Sequence, residues 1–289
     1  MIKKGQYNLN SFKKTKILRL VKGVKKIVNK MENRILWINP VSEVGAFDRP
    51  VAEFISSVKR ADTQVDVISL KRGPMHLNYY YYDALILGDT LHQVKRAEKE
   101  GYDAAIIGCF YDPGLREARE ITDRIVIAAP AEASILIAAG LGHRFSIIVA
   151  SDKCIPKMYE NVVNYGLINR LASFESVDLG VNDFQKDKTE TMRRIHKAAE
   201  QAVHEKLAEV IILGCTMQFG FYKELQEDLK IPVIDAVIAP LKYAEFMVEL
   251  RKNFGWGHSK ICSYESPPIS EIKKWKLSDQ YPGMRGLWR

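Results

Sequence analysis

Two Gly-Cys pairs stand at equivalent points of the sequence, each directly after a short apolar run. Gly108-Cys109 follows "AAII" and Gly214-Cys215 follows "VIIL". Such runs are typical of buried strands, so each thiol is predicted at the carboxyl end of a strand. The N–H groups and positive dipole of a following helix would favour a thiolate and lower the pKa from its ordinary value of about 8.5. Cys109 and Cys215 are therefore candidate reactive thiols.

A helix is predicted to begin shortly after each of these cysteines. After Cys109, Asp112 and Pro113 have the residue types of an N-cap and a first helical residue, and "GLREAREI" continues the helix. After Cys215, Thr216 can cap the helix that contains "YKELQEDL". The glycine before each cysteine leaves room for a ligand or a tight turn.

Two thiols that face one cleft can act as base and acid on a single carbon. One thiolate removes the Cα proton from one face, the opposite thiol delivers a proton to the other, and the roles exchange for the other enantiomer. The carbanion requires backbone N–H groups or short polar side chains that stabilise its carbonyl oxygens. Residue types of this kind are also common in turns and caps. The candidates near the other predicted strand ends are Asn39, Ser42, Ser151 and Thr216.

The sequence carries no metal or phosphate signature. The four cysteines at 109, 154, 215 and 262 are too far apart for a CxxC site, and no His or Cys partners stand at zinc-ligand spacing. The first strand is not followed by GxGxxG, and GxxxxGK[ST] does not occur. We therefore expect neither a metal nor a cofactor. Cys154 and Cys262, which lack the Gly-Cys context, are interpreted as structural residues.

Short β-branched runs alternate with longer amphipathic segments from Asn33 onward. Most of the runs are continuously apolar, which indicates strands buried on both faces of mainly parallel sheets with helices outside. The chain is therefore predicted to be an α/β protein. The predicted strands span residues 35–39, 65–70, 104–109, 125–129, 145–150, 210–215 and 232–236, and the clearest predicted helices span 84–100, 113–122, 184–207 and 237–252.

A faint internal repeat predicts two pseudo-symmetric α/β lobes. "ILWINPVS" precedes "AAIIGC" in the first half as "FSIIVASD" precedes "VIILGC" in the second. Ligands of open α/β sheets lie beyond the carboxyl ends of the strands, so the cleft between the lobes is the predicted active site. The predicted organisation is a basic N-terminal extension (1–33), lobe 1 (34–140), lobe 2 (141–234), a segment that returns to lobe 1 (235–262) and a C-terminal tail (263–289).

The net charge of +8 belongs to the N-terminal extension. Residues 1–33 hold ten of the 43 Lys/Arg and one of the 35 Asp/Glu, so the remainder has a net charge of −1. A neutral body gives no reason to expect a nucleic-acid partner. Apolar residues at helical spacing within 17–28 indicate a helix that could contact a membrane or a partner. The favoured interpretation is a solvated extension, or a start of the functional chain at Met31.

The sequence also bears on location and partners. No apolar run reaches the roughly 18 residues of a membrane span, and the first residues are too charged for a secretory signal. Together with cysteines at strand ends rather than in a disulfide framework, this predicts a cytoplasmic protein. The expected partners are a small-molecule substrate and further copies of the same chain.

Residues 34–268 resemble the aspartate/glutamate racemase superfamily, specifically its hydantoin/allantoin racemase branch. The segments that carry the resemblance include "RILWINPVS", "GYDAAIIGCFYDPGLREAREI", "VIILGCT" and "IPVIDAVIAPLKYAE", of which "CFYDPGLREARE" is the most specific. The resemblance implies a cofactor-independent racemase with two pseudo-symmetric lobes. It implies that Cys109 and Cys215 are the acid/base pair. It also places four residues at the polar edge of the substrate: Asn39, Ser42, Ser151 and Thr216.

The sequence departs from the branch after the second cysteine, where the bulky "TMQFGFY" replaces a small, glycine-containing stretch, and in the aromatic "NYYYYDAL" at 78–85. These departures leave the substrate open more than the mechanism. We predict a hydantoin- or allantoin-like substrate and a two-thiol 1,1-proton transfer. One alternative is a racemase of free aspartate or glutamate, although the Cys-Asn-Thr and the second-site His of those enzymes are missing. The others are a malonate-type decarboxylase, which needs one proton donor only, and a small-molecule binding protein.

Overall fold

The computed structural model of the chain describes residues 33–42 and 48–288. The predicted basic extension and its amphipathic helix lie outside the described residues, apart from Asn33, which begins the first strand. Within the described ranges, no helix combines the length and the apolarity that a membrane span requires.

Strands and helices alternate along the described residues, with short 3-10 turns at several connections. The strands are β1 (Asn33–Asn39), β2 (Thr63–Ser69), β3 (Ala104–Ile107), β4 (Val126–Ala128), β5 (Phe145–Val149), β6 (Leu171–Ser176), β7 (Val210–Leu213) and β8 (Val233–Ile234). The helices are α1 (Asp48–Val58), α2 (Tyr80–Lys99), α3 (Leu115–Ile121), α4 (Pro130–Leu141), α5 (Ile155–Asn164), α6 (Lys188–His204), α7 (Tyr222–Leu229), α8 (Ile238–Phe254), α9 (Ile269–Lys274) and α10 (Leu277–Gln280).

The strands form two four-stranded sheets with the same order. The first sheet runs β2-β1-β3-β4 and the second β6-β5-β7-β8, and every pair is parallel. The central strands β1 and β3 of the first sheet therefore correspond to β5 and β7 of the second. The predicted α/β class with two similar lobes is confirmed.

Mostly apolar sequence explains the central strands. Every residue of β3, β5 and β7 is buried, because helices cover both faces of each sheet. Trp37 of β1 is completely buried and packs in a cluster with α1 and α8. The carboxyl ends of these strands are thereby held by two rigid cores.

The last long helix crosses back to the first lobe. α8 follows β8 of the second sheet but packs against β1, β3 and β4 of the first. It also contacts α4, which in turn packs against α5 and β7. These helix contacts join the two sheets from the side.

The predicted strands and the clearest predicted helices do not include β6, α1, α4, α5, α9 or α10. β6 is an edge strand whose residues are mostly half-buried, so it has no continuous apolar run. α4, "PAEASILIAAGL", is apolar around most of its circumference and shows little helical periodicity. α1 and α5 are short amphipathic helices of 11 and 10 residues. The predicted strand at 232–236 is much shorter in the structure, where β8 has two residues.

Candidate active site

A cavity of about 90 Å³ lies where the carboxyl edges of the two sheets meet. Cys109 follows β3 and Cys215 follows β7, and both thiol residues line this one cavity. The structure thus brings together two side chains that are 106 positions apart in the sequence. Its walls are formed by Asn39, Pro40, Val41, Val51, Met75, His76, Leu77, Asn78, Gly108, Cys109, Phe110, Tyr111, Ala150, Cys154, Met158, Val181, Asn182, Gly214, Cys215, Thr216 and Met217.

The turn after β3 differs from the predicted helix start. Asp112 has φ +49° and Gly114 has φ +72°, so the backbone is left-handed at both and the helix begins only at Leu115. The prediction that Asp112 caps this helix is wrong. Its carboxylate instead accepts hydrogen bonds from the N–H groups of Ala131 and Glu132, both at 2.8 Å, at the start of α4. Asp112 therefore fixes the Cys109 turn to a neighbouring helix.

The segment after β7 is held from two sides. Thr216 begins a 3-10 turn and lies well before α7, so the predicted capping of that helix is wrong. Its Oγ1 donates to the Gly108 carbonyl at 3.3 Å and thus joins the two cysteine turns. The Gln185 side chain donates to the carbonyls of Met217 at 2.9 Å and Phe219 at 3.2 Å. These contacts make Cys215 part of an ordered loop.

Burial determines the protonation of both thiols. It raises the pKa of Cys109 to about 12, against the lowering effects of the Tyr111 N–H and the Lys157 charge. It also raises the pKa of Cys215 to about 12, against the N–H groups of Met217 and Gln218. Backbone donors do favour the thiolates, as the sequence suggested, but desolvation by burial outweighs them.

The four predicted polar residues are placed differently. Asn39 lines the cavity, where it accepts a hydrogen bond from Trp37 Nε1 at 2.7 Å and donates to Asp48 at 2.8 Å. Thr216 lines it as well. Ser42 and Ser151 are half-buried near the strand ends but are not among the lining residues. Their role in substrate binding stays a prediction.

Other lining residues carry no sequence signal that pointed to them. His76 and Asn78 come from the segment before α2, and Asn182 comes from the turn before α6. Cys154, interpreted as structural, is buried and also lines the cavity. Polar residues in irregular segments have no periodicity, so only the tertiary structure identifies them.

Two buried polar groups outside the cavity, Glu132 and His258, have structural contacts. Glu132 forms a nearly buried ion pair with Arg119, away from the cavity. His258 accepts a hydrogen bond from the Ile127 N–H at 2.9 Å. Burial, supported by nearby positive charge, lowers the pKa of His258 to about 3, so this imidazole is neutral. Among the described residues, no group of three or more His, Cys, Asp or Glu side chains is placed to hold a metal ion.

Comparison with known proteins matches this chain to one family. The model of the family described as Asp/Glu/Hydantoin racemase matches residues 35–244. The chain belongs to the Asp/Glu/Hydantoin racemase family. It is 34% identical to a hydantoin racemase of Pseudomonas sp. (strain NS671), over 82% of this chain and 93% of that protein. It is 37% identical to a hydantoin racemase of Paenarthrobacter aurescens, over 81% and 97%.

A solved structure of this racemase family has the same architecture. The allantoin racemase from Klebsiella pneumoniae superimposes with a TM-score of 0.76 at 25% identity, covering 82% of this chain and 94% of that one. The predicted resemblance to the hydantoin/allantoin branch is therefore confirmed. The protein is an isomerase, a racemase of this family.

Asp112→Asn is expected to loosen the Cys109 turn. An amide nitrogen would face an N–H donor, and the Tyr165 hydroxyl, which donates to Asp112 at 2.6 Å, would lose its acceptor. The free energy of unfolding should fall by about 1–3 kcal/mol, measured by urea denaturation. The racemisation rate should fall with it, because Asp112 N–H also bonds the Cys109 carbonyl.

The control for this variant is Glu53→Gln, in the exposed Arg49–Glu53 pair, which should change stability by less than about 0.5 kcal/mol. A pH series adds a second readout. Burial raises the pKa of Asp112 from 3.8 to about 7. Its contribution to stability is therefore fully present below about pH 4 and is lost as the pH rises through about 7. The Asn variant should lose less stability over that range, and an unchanged pH dependence would contradict this.

Proposed function

We propose that the protein racemises 5-substituted hydantoins by a cofactor-independent, two-thiol 1,1-proton transfer. The observation that carries the proposal is the placement of Cys109 and Cys215 in one cavity, each at the end of a central strand of a different sheet. A single cysteine in a cavity wall is most simply a small apolar residue. Two at corresponding positions of two lobes supply the base and the acid that inversion of one carbon requires.

The lining of the cavity favours an uncharged substrate. None of its described lining residues is Asp, Glu, Lys or Arg. A free amino acid would place an ammonium and carboxylates in this site with no counter-charge, which is costly when they are desolvated. A hydantoin ring presents carbonyl and N–H groups instead. Polar partners of the right kind are Asn39, Asn78, Asn182 and Thr216.

The remaining walls favour an apolar substituent on the ring. Three methionine side chains reach the cavity, and thioethers adapt their shape to varied apolar groups. Leu77, Val181 and Phe110 extend the same apolar surface. The three methionines are Met75, Met158 and Met217. Met217 lies in the segment where the sequence departs from the hydantoin/allantoin branch.

The proton transfer follows from this placement. The thiolate of one cysteine takes the proton from carbon 5, and the electron pair is delocalised onto the adjacent carbonyl oxygen. N–H groups and amide side chains around the cavity stabilise that oxygen. The thiol of the other cysteine then donates its proton to the opposite face of carbon 5. The product is the other enantiomer, and the enzyme is left with the thiol and thiolate exchanged.

Allantoin is the second candidate substrate. The structural similarity to an allantoin racemase favours it, and the asparagines of the cavity could bind its polar ureido group. The apolar walls argue for the hydantoins, because a ureido group buried against them would lose hydrogen bonds to water.

A panel of single enantiomers in D2O tests this assignment. The panel contains 5-benzylhydantoin, 5-(2-methylthioethyl)hydantoin, allantoin, aspartate and glutamate, each with an enzyme-free control for spontaneous racemisation. We expect loss of optical rotation together with deuteration at the stereogenic carbon for the two hydantoins. Their kcat/KM should exceed that of allantoin by at least about tenfold, corresponding to about 1.4 kcal/mol of transition-state binding.

The other results of the panel are also decisive. Faster turnover of allantoin would replace the hydantoins as the substrate while leaving the mechanism in place. Turnover of aspartate or glutamate would contradict the argument from the uncharged lining. Exchange at carbon without inversion of any substrate would contradict the two-thiol racemisation.

A further inference from the structure

One face of α5, a helix of the second lobe, packs against the Cys109 turn of the first lobe. We call Lys157, Met158, Asn161 and Tyr165 the α5 face; their spacing places them on one side of the helix and its C-cap. Each of them contacts the cavity or the turn between Cys109 and Asp112.

The contacts of the α5 face are specific. Asn161 Nδ2 donates to the Tyr111 carbonyl at 2.9 Å, and the Tyr165 hydroxyl donates to Asp112. Met158 forms part of the cavity wall. The Lys157 ammonium lies over the Tyr111 ring, with Nζ 4.7 Å from the ring centroid. Lys157 therefore places a positive charge directly behind the turn that carries Cys109.

The Lys157 charge is largely shielded from solvent. Its side chain is 14% exposed and that of its ion-pair partner, Asp83 at the start of α2, is 22% exposed. The pair is in contact, yet Lys157 Nζ makes no hydrogen bond of normal geometry within the described residues. A partly buried charge is screened less than one on the surface, so its field extends to neighbouring groups.

Within the described residues, the loop after the second cysteine has a different neighbour. α1 follows β1 as α5 follows β5, so α1 is the corresponding helix for the Cys215 loop. It contacts that loop through an aromatic pair, Phe54 and Phe219, with ring centroids 5.2 Å apart. The helix that packs on the Cys109 turn thus places a cation there, and the helix that packs on the Cys215 loop places an aromatic ring there.

The charged and titratable groups around the two thiols differ accordingly. Lys157 lowers the pKa of Cys109, whereas Cys215 and Asp83 raise it by smaller amounts. The Cys215 thiol is influenced by burial, by backbone N–H groups and by the Cys154 thiol. Within the described residues, no ammonium or guanidinium lowers the pKa of Cys215.

We propose that Lys157 is a positioning residue that favours the thiolate of Cys109 and has little effect on Cys215. The inference rests on the proposed two-thiol function. In a cycle that begins with the Cys109 thiolate, Cys109 is the base and Cys215 is the acid. After inversion the charge is on Cys215, and a proton must return from Cys109 to Cys215 through solvent or substrate before the same cycle repeats.

The ratio kcat/KM cannot reveal this asymmetry. The two enantiomers have equal free energies, so kcat/KM in the two directions must be equal in every variant. The readout must therefore report the charge on each cysteine separately. Alkylation by iodoacetamide does so, because the thiolate is the reacting species.

The test compares Lys157→Met and Asp83→Asn in a Cys262→Ser background, which removes the exposed cysteine. Alkylation of each remaining cysteine is followed by peptide mass mapping between pH 7 and 10. Removing the cation should slow Cys109 about tenfold at pH 8, and removing the anion should accelerate it several-fold. Cys215 should change less than about twofold in both. Circular dichroism checks that both variants are folded.

Both variants lose the Lys157–Asp83 ion pair, so structural damage would change the alkylation rate of Cys109 in the same direction in both. Opposite changes in that rate therefore indicate an electrostatic effect. Equal changes in the alkylation rates of both cysteines would overturn the role of Lys157. So would changes in the Cys109 rate that have the same direction in the two variants. If Lys157→Met does not fold, Asp83→Asn alone decides, and an unchanged Cys109 rate would be decisive against the proposal. Failure of the racemase proposal would instead appear as no turnover with the alkylation pattern intact.

Discussion

Cys109→Ser and Cys215→Ser are each expected to reduce racemisation by about 10³-fold, within the range for loss of a general acid or base. A serine hydroxyl has nearly the volume of a thiol but is far less acidic. Both cysteines line the same cavity, and one is needed on each side of the inverting carbon. Chiral chromatography of a single hydantoin enantiomer measures the rate directly.

The two variants should differ in which enantiomer they deuterate. A single remaining thiol can still remove a proton from the face that it contacts and return a deuteron to the same face. Cys109→Ser should therefore exchange the C5 proton of one enantiomer in D2O without inverting it, and Cys215→Ser should exchange the other.

Cys262→Ser is the control for these two variants. Cys262 is exposed and lies outside the cavity, so its racemisation rate should stay within about twofold of the wild type. Retention of more than a tenth of the wild-type rate in either catalytic variant would rule out the two-thiol mechanism.

The parts of the fold that could be predicted are those with a strong local signal. β3 and β7 are continuously apolar and β5 is apolar except for Ser146, because both faces of each strand are buried, and the longest amphipathic helices have a clear polar side. Their strand ends fixed where a site would lie. The Gly-Cys pairs were recognisable because residue type and strand end coincide twice.

The rest depends on contacts between distant residues. Asp112 has the residue type of a helix cap. The helix whose N–H groups it binds is α4, which begins 18 positions later. Nothing local distinguishes the two roles. The α5 face was missed for the same reason, because its partners at Tyr111 and Asp83 lie in another lobe. The charge that distinguishes the two thiols is thus a property of the tertiary structure.

The expected protonation of the thiols shows how competing effects are weighed. The sequence indicated nearby N–H donors, and such donors do lower the pKa of both cysteines. The degree of burial cannot be read from a turn sequence, and it reverses the net direction.

Gly108→Ala and Gly214→Ala are expected to cause the largest losses of stability. A Cβ at position 108 would lie 2.6 Å from Cε2 of the buried Trp37 indole. A Cβ at position 214 would lie 2.6 Å from Ile147 Cγ2 and 2.9 Å from the Ile148 carbonyl oxygen. Carbon atoms do not approach so closely without displacement. Each substitution should lower the free energy of unfolding by about 1–3 kcal/mol or more, measured by urea denaturation.

Activity should fall further than stability in these two variants. The N–H of Gly108 bonds the Ile38 carbonyl, and that of Gly214 bonds the Ile148 carbonyl, both at 2.8 Å. Displacement of either strand end moves the cysteine that follows it, and a shift of about 1 Å at a reacting group can cost about 10²-fold in rate. Racemisation is measured without denaturant, at a temperature where both variants remain folded. This separates the effect on rate from unfolding.

The matched control is Gly140→Ala, in α4. An added Cβ there meets no atom within 4 Å, and alanine in a helix should stabilise the protein by about 0.4–1 kcal/mol. The free energies of unfolding of Gly108→Ala and Gly214→Ala could instead stay within about 0.5 kcal/mol of the wild type. The close contacts at these two glycines would then not hold the strand ends. The glycines would then act in catalysis alone. A loss in both, beside a gain in the control, assigns to each glycine the contact that positions its neighbouring thiol.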